Sequence, residues 1–349
     1  MRIAVLTLLA ASVSAQWSQV APAHYDAWEG TTVSSAPFSG TSFPVRLQQV
    51  HIEPKGAVHT IASLAFRRDG RLGDPRFQGR TVDMEMQMGH GALASVSASF
   101  AGNYLSPPQT TLARRVVQTP DYSAGARQAP AAFDFVLPLD VPFAHNGVDD
   151  FVWDITVHGA GGTGTAVALD AVISGFNLVI PANYELNGTG CTYAGNEILL
   201  RPNVSLQGFP VNGWILDWAA TACPPGTNGV FLLGTVDPDL PFPGLCTNVH
   251  VLPLVQVPGV SDANGGYAPF PSTSPLPRIP QSGAGVGLRL EAQLVLLQAG
   301  PPLQLLASNG ASAVLPPPTP MVGIARVLQT PTSGPTLSTT TGVVVRLAD

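Results

Sequence analysis

Apolar residues recur along this chain at every second position, in short runs separated by turn formers. In Phe151-Val152-Trp153-Asp154-Ile155-Thr156-Val157, the side chains of Phe151, Trp153, Ile155 and Val157 fall on one face. That period of two is the signature of a half-buried strand. Runs at 44–52, 57–66, 81–88, 92–100, 112–117, 133–139, 151–157 and 165–180 read as strands, with no 3.6-residue period between them. A second series follows at 198–206, 214–219, 230–236, 249–257, 287–298 and 303–306. Asn228-Gly229, Asp262-Ala263-Asn264-Gly265-Gly266 and Asn309-Gly310 punctuate it with residues that accept positive φ. Serial strands without helices predict an all-β protein. The expected architecture is two β-sandwich domains, jelly-roll or immunoglobulin-like, at 16–180 and 187–315. A C-terminal extension at 316–349 follows, in which 322–330 and 342–347 are expected to pair as a terminal hairpin.

Composition agrees with many short strands. Gly (36) and Pro (34) are abundant and charged residues are only 11%, yet 45% of the chain is hydrophobic. That is enough apolar material for packed cores and argues against wholesale disorder. A net charge of −6 gives no basic face for nucleic acid. The N-terminus carries Arg2, a short apolar run and the small residues Ser12, Val13, Ser14 and Ala15. This reads as a secretory signal peptide over 1–15, too short to span a bilayer. No later run is long and uncharged enough to be membrane-spanning. The expected location is therefore secreted, extracellular or cell-surface, where disulfides are permitted. Three cysteines, Cys191, Cys223 and Cys246, leave one thiol over.

Two motifs carry a resemblance. Gly188-Thr189-Gly190-Cys191 opens the second half, and Ala307-Ser308-Asn309-Gly310 closes it. This module resembles one in poorly characterised secreted two-domain β proteins of planctomycete-type bacteria. The front of the chain is similar to theirs in Arg46–Val50, Ile61–Arg67 and Pro142-Phe143 before Asp154-Ile155. The resemblance implies an early Gly-Cys paired with a Cys after the third strand, hence Cys191 with Cys246 and Cys223 free. From the residues alone, Cys223–Cys246 remains a competing pair. No active site transfers with the resemblance.

Candidate chemistry is sparse. Neither Gly-x-Ser-x-Gly nor His-Glu-x-x-His occurs, so no catalytic residue is assigned. Met84, Met86 and Met88 alternate with Asp83, Glu85 and Gln87 just before His90. Soft thioethers suit Cu(I), but inward-packed core filler is the simpler reading. Gly159–Gly164 spells G-x-G-x-x-G, with a returning strand after it rather than a helix, so it reads as a turn. Acidic groups gather at Asp140, Asp149, Asp150 and Asp154, and again at Asp237 and Asp239. A structural calcium is best placed at Asp149 and Asp150. Arg67, Arg68, Arg71, Arg76 and Arg80 lie in one stretch interleaved with Asp69 and Asp74. Their guanidinium groups suit an acidic glycan. The function expected is non-catalytic binding of a polysaccharide or surface protein. A purely structural envelope or matrix role and a glycan-active hydrolase with paired carboxylates are the alternatives.

Overall fold

The computed structural model describes residues 17–38, 42–70, 78–124, 126–162, 167–173, 179–207, 213–270, 278–280, 285–299, 303–317 and 323–349. The expected signal peptide at 1–15 lies outside them, as do Arg71 and Arg76. Among the described residues the chain is β throughout. Its helical content is single 3-10 turns at Ala23–Asp26, Leu93–Ser95 and Ala101–Asn103.

The first core lies between antiparallel sheets. One runs in the order Ser333–Ser338, Ile324–Thr330, Val45–His51, Asp150–Gly161, Thr81–Gly91, Gln109–Gln118. Another runs Ser18–Ala21, Val345–Ala348, His59–Phe66, Phe135–His145. Thr32–Ser34, Leu169–Ile173 and Thr341–Val343 form a third. Their apolar faces meet in one cluster that includes Leu47, Met86, Trp153, Ile155, Leu64, Phe66 and Leu347. Phe66 and Trp153, from the two larger sheets, touch edge to face with centroids 5.8 Å apart. Met84, Met86 and Met88 are fully buried here, while Asp83, Glu85 and Gln87 point away from the core. The period of two thus separates thioether packing from the outer face. Asp83 pairs with Arg114 at 2.7 Å on that face.

Two local expectations are corrected. The stretch expected as a strand at 92–100 is one 3-10 turn and coil. Its backbone is taken by side chains instead: Leu93 N–H donates to Asp150 Oδ2, Ser97 N–H to Asn103 Oδ1, and Ser99 N–H to Ser97 Oγ. Such local bonds compete with a ladder. The two C-terminal runs do not pair with each other. Ile324–Thr330 forms a hairpin with Ser333–Ser338 and lies along Val45–His51. Val345–Ala348 is interior to the other sheet, between Ser18–Ala21 and His59–Phe66. Alternation decides this: Val343, Val345 and Leu347 are all fully buried in the first core. Val345–Ala348 therefore shares a sheet with Ser18–Ala21.

The second core is built on a sheet in the order Pro253–Val260, Asn228–Gly234, Arg289–Gln298, Gly310–Val314, Asn183–Asn187, Gln128–Ala129, with Gln304–Ala307 also on Arg289–Gln298. Trp214, Trp218, Phe231 and Leu294 fill it. Trp214 and Trp218, which share strand parity in the sequence, stand on separate strands, Gly213–Ile215 and Trp218–Thr221. Gln128–Ala129 joins this sheet from the first half, through Tyr184↔Ala129 and Glu185↔Gln128.

Burial of His51 in the first core makes stability pH-dependent. Its Nε2 accepts from Trp153 Nε1–H at 3.0 Å, and Nδ1 has no partner. Desolvation pushes its pKa from the ordinary 6.5 down to about 3. A depressed histidine pKa means the unfolded chain binds the extra proton, so stability falls as pH drops below 6.5. The loss amounts to roughly 1.4 kcal/mol per pH unit for this group. His51→Gln is expected to remove this share, so the change in urea midpoint between pH 7.5 and pH 5 should be less destabilising towards acid in the variant than in wild type. Asp170, with its raised pKa, acts with the opposite sign and His145 with the same sign.

Candidate functional site

The Gly-Thr-Gly-Cys and Ala-Ser-Asn-Gly motifs close on one another. Cys191 N–H donates to Ala307 C=O at 2.8 Å, and Ala307 N–H points back at Cys191 Sγ at 3.0 Å. Asn309 Oδ1 accepts Leu200 N–H at 2.7 Å, and its amide donates to Leu200 C=O at 3.2 Å. Gly190 admits this corner, because a Cβ there would lie 2.1 Å from Ile198 O. Cys191 is disulfide-bonded to Cys246. Cys223 is a buried free thiol whose pKa rises to about 12 through burial and then the charge of Asp262, which leaves it unreactive. The disulfide closes a loop of 55 residues. Replacing both cysteines by Ser is expected to lower the second unit's stability by about 4 kcal/mol in the chain-entropy account, read from urea unfolding. A non-reducing peptide map should find Cys223 alone open to alkylation after denaturation.

Cys246 of the disulfide and Gly188-Thr189 of the first motif line a groove of about 650 Å³. Its polar lining includes Glu185, Asn187, Asp237, Asp239, Asn248 and His250. The Asp237-Pro238-Asp239 turn is self-held: Asp237 Oδ1 accepts Asp239 N–H at 2.9 Å, with Asp239 at φ 44°. Asn187 Nδ2 donates to Asp237 Oδ2 at 2.9 Å, and Asn248 Nδ2 to Asp239 Oδ1 at 2.8 Å. His250 Nδ1 stands 3.3 Å from Asp237 Oδ1 and 3.7 Å from Asp239 Oδ1. Below, Gln293 holds the strand end, accepting His250 N–H at 2.9 Å and donating to Asn248 C=O at 2.8 Å. Gly188 and Gly310 let the imidazole in: Cβ atoms there would lie 2.7 Å from His250 Nε2 and 2.4 Å from His250 Cβ. The result is a rigid, anionic, hydrogen-bonding surface. A smaller cavity of about 450 Å³ lies on the first unit beside Arg46, Gln87 and Tyr104.

The residues singled out in the sequence lie elsewhere. Asp150 accepts Lys55 Nζ at 2.6 Å and Leu93 N–H at 2.6 Å. Asp149 accepts Asn146 Nδ2 at 2.7 Å, and Asn146 Oδ1 turns back to the Val148 and Asp149 amides. These two acids are thus committed to a turn and an ion pair. Of the described arginines in the stretch, Arg67 and Arg80 are buried, and Arg68 stacks over Tyr122 at 5.1 Å. A glycan grip built from these guanidinium groups is corrected for Arg67 and Arg80: both are buried, and the Arg67 guanidinium is taken up by Asp170 and the Trp28 carbonyl.

Arg67 instead enters a buried acidic cluster. Its guanidinium binds Asp170 Oδ2, with Nε at 2.6 Å, and donates to Trp28 C=O at 2.6 Å. Asp170 Oδ1 accepts Gly30 N–H at 2.8 Å, and Glu29 Oε1 accepts Gly70 N–H at 2.7 Å. Burial raises the Asp170 pKa to about 6 against the opposing pull of Arg67. It also drives Glu29 well above the carboxylate range, helped by the charge of Asp170. Glu29, Asp69 and Asp170 are the grouped metal-ligand candidates among the described residues.

Sequence reasoning marked Asp237 and Asp239 but not His250, Glu185, Glu29 or Asp170. The last two lie 141 residues apart with no shared motif, so only the fold joins them. Comparison of the chain with family models, curated proteins and solved structures finds no match. No helix among the described residues is long and apolar enough to cross a membrane.

Proposed function

We propose that this is an exported, non-catalytic binding protein that takes a hydroxyl-rich polymer, a neutral polysaccharide, in the groove at Asp237, Asp239 and His250. The observation that carries the reading is the pre-set ring of carboxylate and amide groups there. Each acid in the Asp237–Asp239 turn is already fixed by an amide or an N–H. Fixed carboxylates and amides match vicinal hydroxyls without the entropic cost of ordering. The lining acids disfavour sulfated and uronic polymers, so the acidic-glycan preference suggested by the arginine stretch is not retained. Export rests on the N-terminal apolar segment, the resemblance to secreted β proteins and the disulfide.

Binding of neutral, sulfated and uronic polysaccharides to residues 16–349 tests this. Neutral polymers are expected to bind, with affinity falling at least about tenfold in Asp237→Ala, the loss of one charge-assisted contact. Retention of acidic polymers alone would refute it. A structural role in a matrix is favoured by a different observation. The edge strand Pro253–Val260 and its surroundings expose Leu252, Leu254, Leu240 and Phe242, Leu254 to 72%. Exposed apolar edges promote strand-to-strand assembly, and light scattering against concentration reads it out.

A further inference from the structure

We propose that Glu29, Asp69 and Asp170 form a buried divalent-cation site, best fitted by calcium, that ties the N-terminal segment to the second unit. This site is independent of the groove. One carboxylate oxygen from each residue lies within 4.8 Å of the others, and all three residues are buried. Glu29 is fully buried, yet its Oε2 has no hydrogen-bond partner, since the single amide offered by Gly70 goes to Oε1. A buried orphan oxygen is costly unless something electropositive faces it. Asp170 uses one contact direction on Oδ1 for Gly30 N–H and Oδ2 for Arg67. Carboxylate oxygens have further lone pairs for a cation.

The donor chemistry selects the ion. Three hard oxygen donors, with no His or Cys, suit calcium or magnesium rather than zinc or copper. Magnesium demands near-ideal octahedral geometry and keeps several waters, whereas calcium accepts irregular protein cages. Here the donors come from three separate stretches of chain and Asp170 also binds a guanidinium, so the cage is irregular.

The location gives the site a role. Glu29 N–H donates to Asn183 Oδ1 at 3.0 Å, and Asn183 Nδ2 donates to Ala27 C=O at 2.7 Å. Tyr184 O–H donates to Gly70 C=O. Asn183 and Tyr184 begin the strand that enters the second sheet. A cation at Glu29, Asp69 and Asp170 therefore fastens the loops on which both units meet.

The competing occupant is a proton on Glu29, and Glu29→Gln, which mimics the protonated acid, separates the two. Full-length protein is stripped with a chelator at pH 7.5 and titrated with calcium chloride or magnesium chloride, followed by thermal unfolding. Bound calcium is measured by elemental analysis after dialysis. About one calcium per chain is expected, with a rise in unfolding temperature of roughly 3 °C or more that magnesium does not reproduce. Glu29→Gln and Asp69→Asn should each weaken binding at least about tenfold, while Asp149→Asn with Asp150→Asn leaves it unchanged. Absence of bound calcium in the wild-type chain at about 10 mM would overturn the proposal, that being well above the millimolar range of weak extracellular sites. So would a calcium response that survives Glu29→Gln and Asp69→Asn, or a stripped Glu29→Gln protein as stable as calcium-loaded wild type.

Discussion

A chain ending at Pro317 is expected to lose its first core altogether. The missing residues include Ile324, Val327, Val343, Val345 and Leu347, all buried. Burying side chains of this size contributes about 1.5–3 kcal/mol each, so the loss is roughly 8–15 kcal/mol. That is as large as the whole stability of an ordinary domain. The deletion also strips partners from Val45–His51 and from His59–Phe66, leaving open edges within the sheets. The second core keeps its internal contacts, including Trp214 Nε1–H to Pro316 C=O at 3.0 Å. Limited proteolysis is expected to cut the truncated protein across residues 45–161 while 183–315 resists. An unchanged protection pattern and unfolding midpoint would show that the C-terminal strands are an appendage.

The second large effect is expected from Arg67→Met. Arg67 is 1% exposed and is held by Asp170, by Trp28 C=O and by stacking on Phe133 at 4.8 Å. Arg346 stacks on the same ring at 5.0 Å. Removing one partner of a buried pair leaves the other charge stranded, at a cost of about 3–5 kcal/mol. Arg67→Lys should not restore stability, because one ammonium cannot meet both Asp170 and the Trp28 carbonyl in a planar fork. Urea unfolding that places Arg67→Met within about 1 kcal/mol of wild type would contradict this account of the cluster.

What the sequence disclosed, and what it hid, follows from the range of the interactions. Met84, Met86, Met88 and the 151–157 run announce their buried faces because strand periodicity is local. The Cys191–Cys246 bond came with a motif whose corner is now visible in the Cys191, Ala307 and Asn309 contacts. Arg67 misled because a string of arginines reads as a solvated patch, and its partner Asp170 lies 103 residues away. The stretch at 92–100 misled because its serines and Asn103 satisfy the backbone locally, which apolar spacing does not register. The groove was half legible: Asp237 and Asp239 stand together in sequence. His250 and Glu185 reach it only through the pairing of Asn183–Asn187 and Arg289–Gln298 with Gly310–Val314.

The most direct measurement is the affinity of one neutral polysaccharide for three proteins: wild type, Asp239→Ala with Asn248→Ala, and Arg68→Ala. Binding by wild type and Arg68→Ala with loss in the double variant, at unchanged unfolding temperatures, is the predicted result. Binding that survives the double variant and disappears with Arg68→Ala would place recognition on the first unit and contradict the groove.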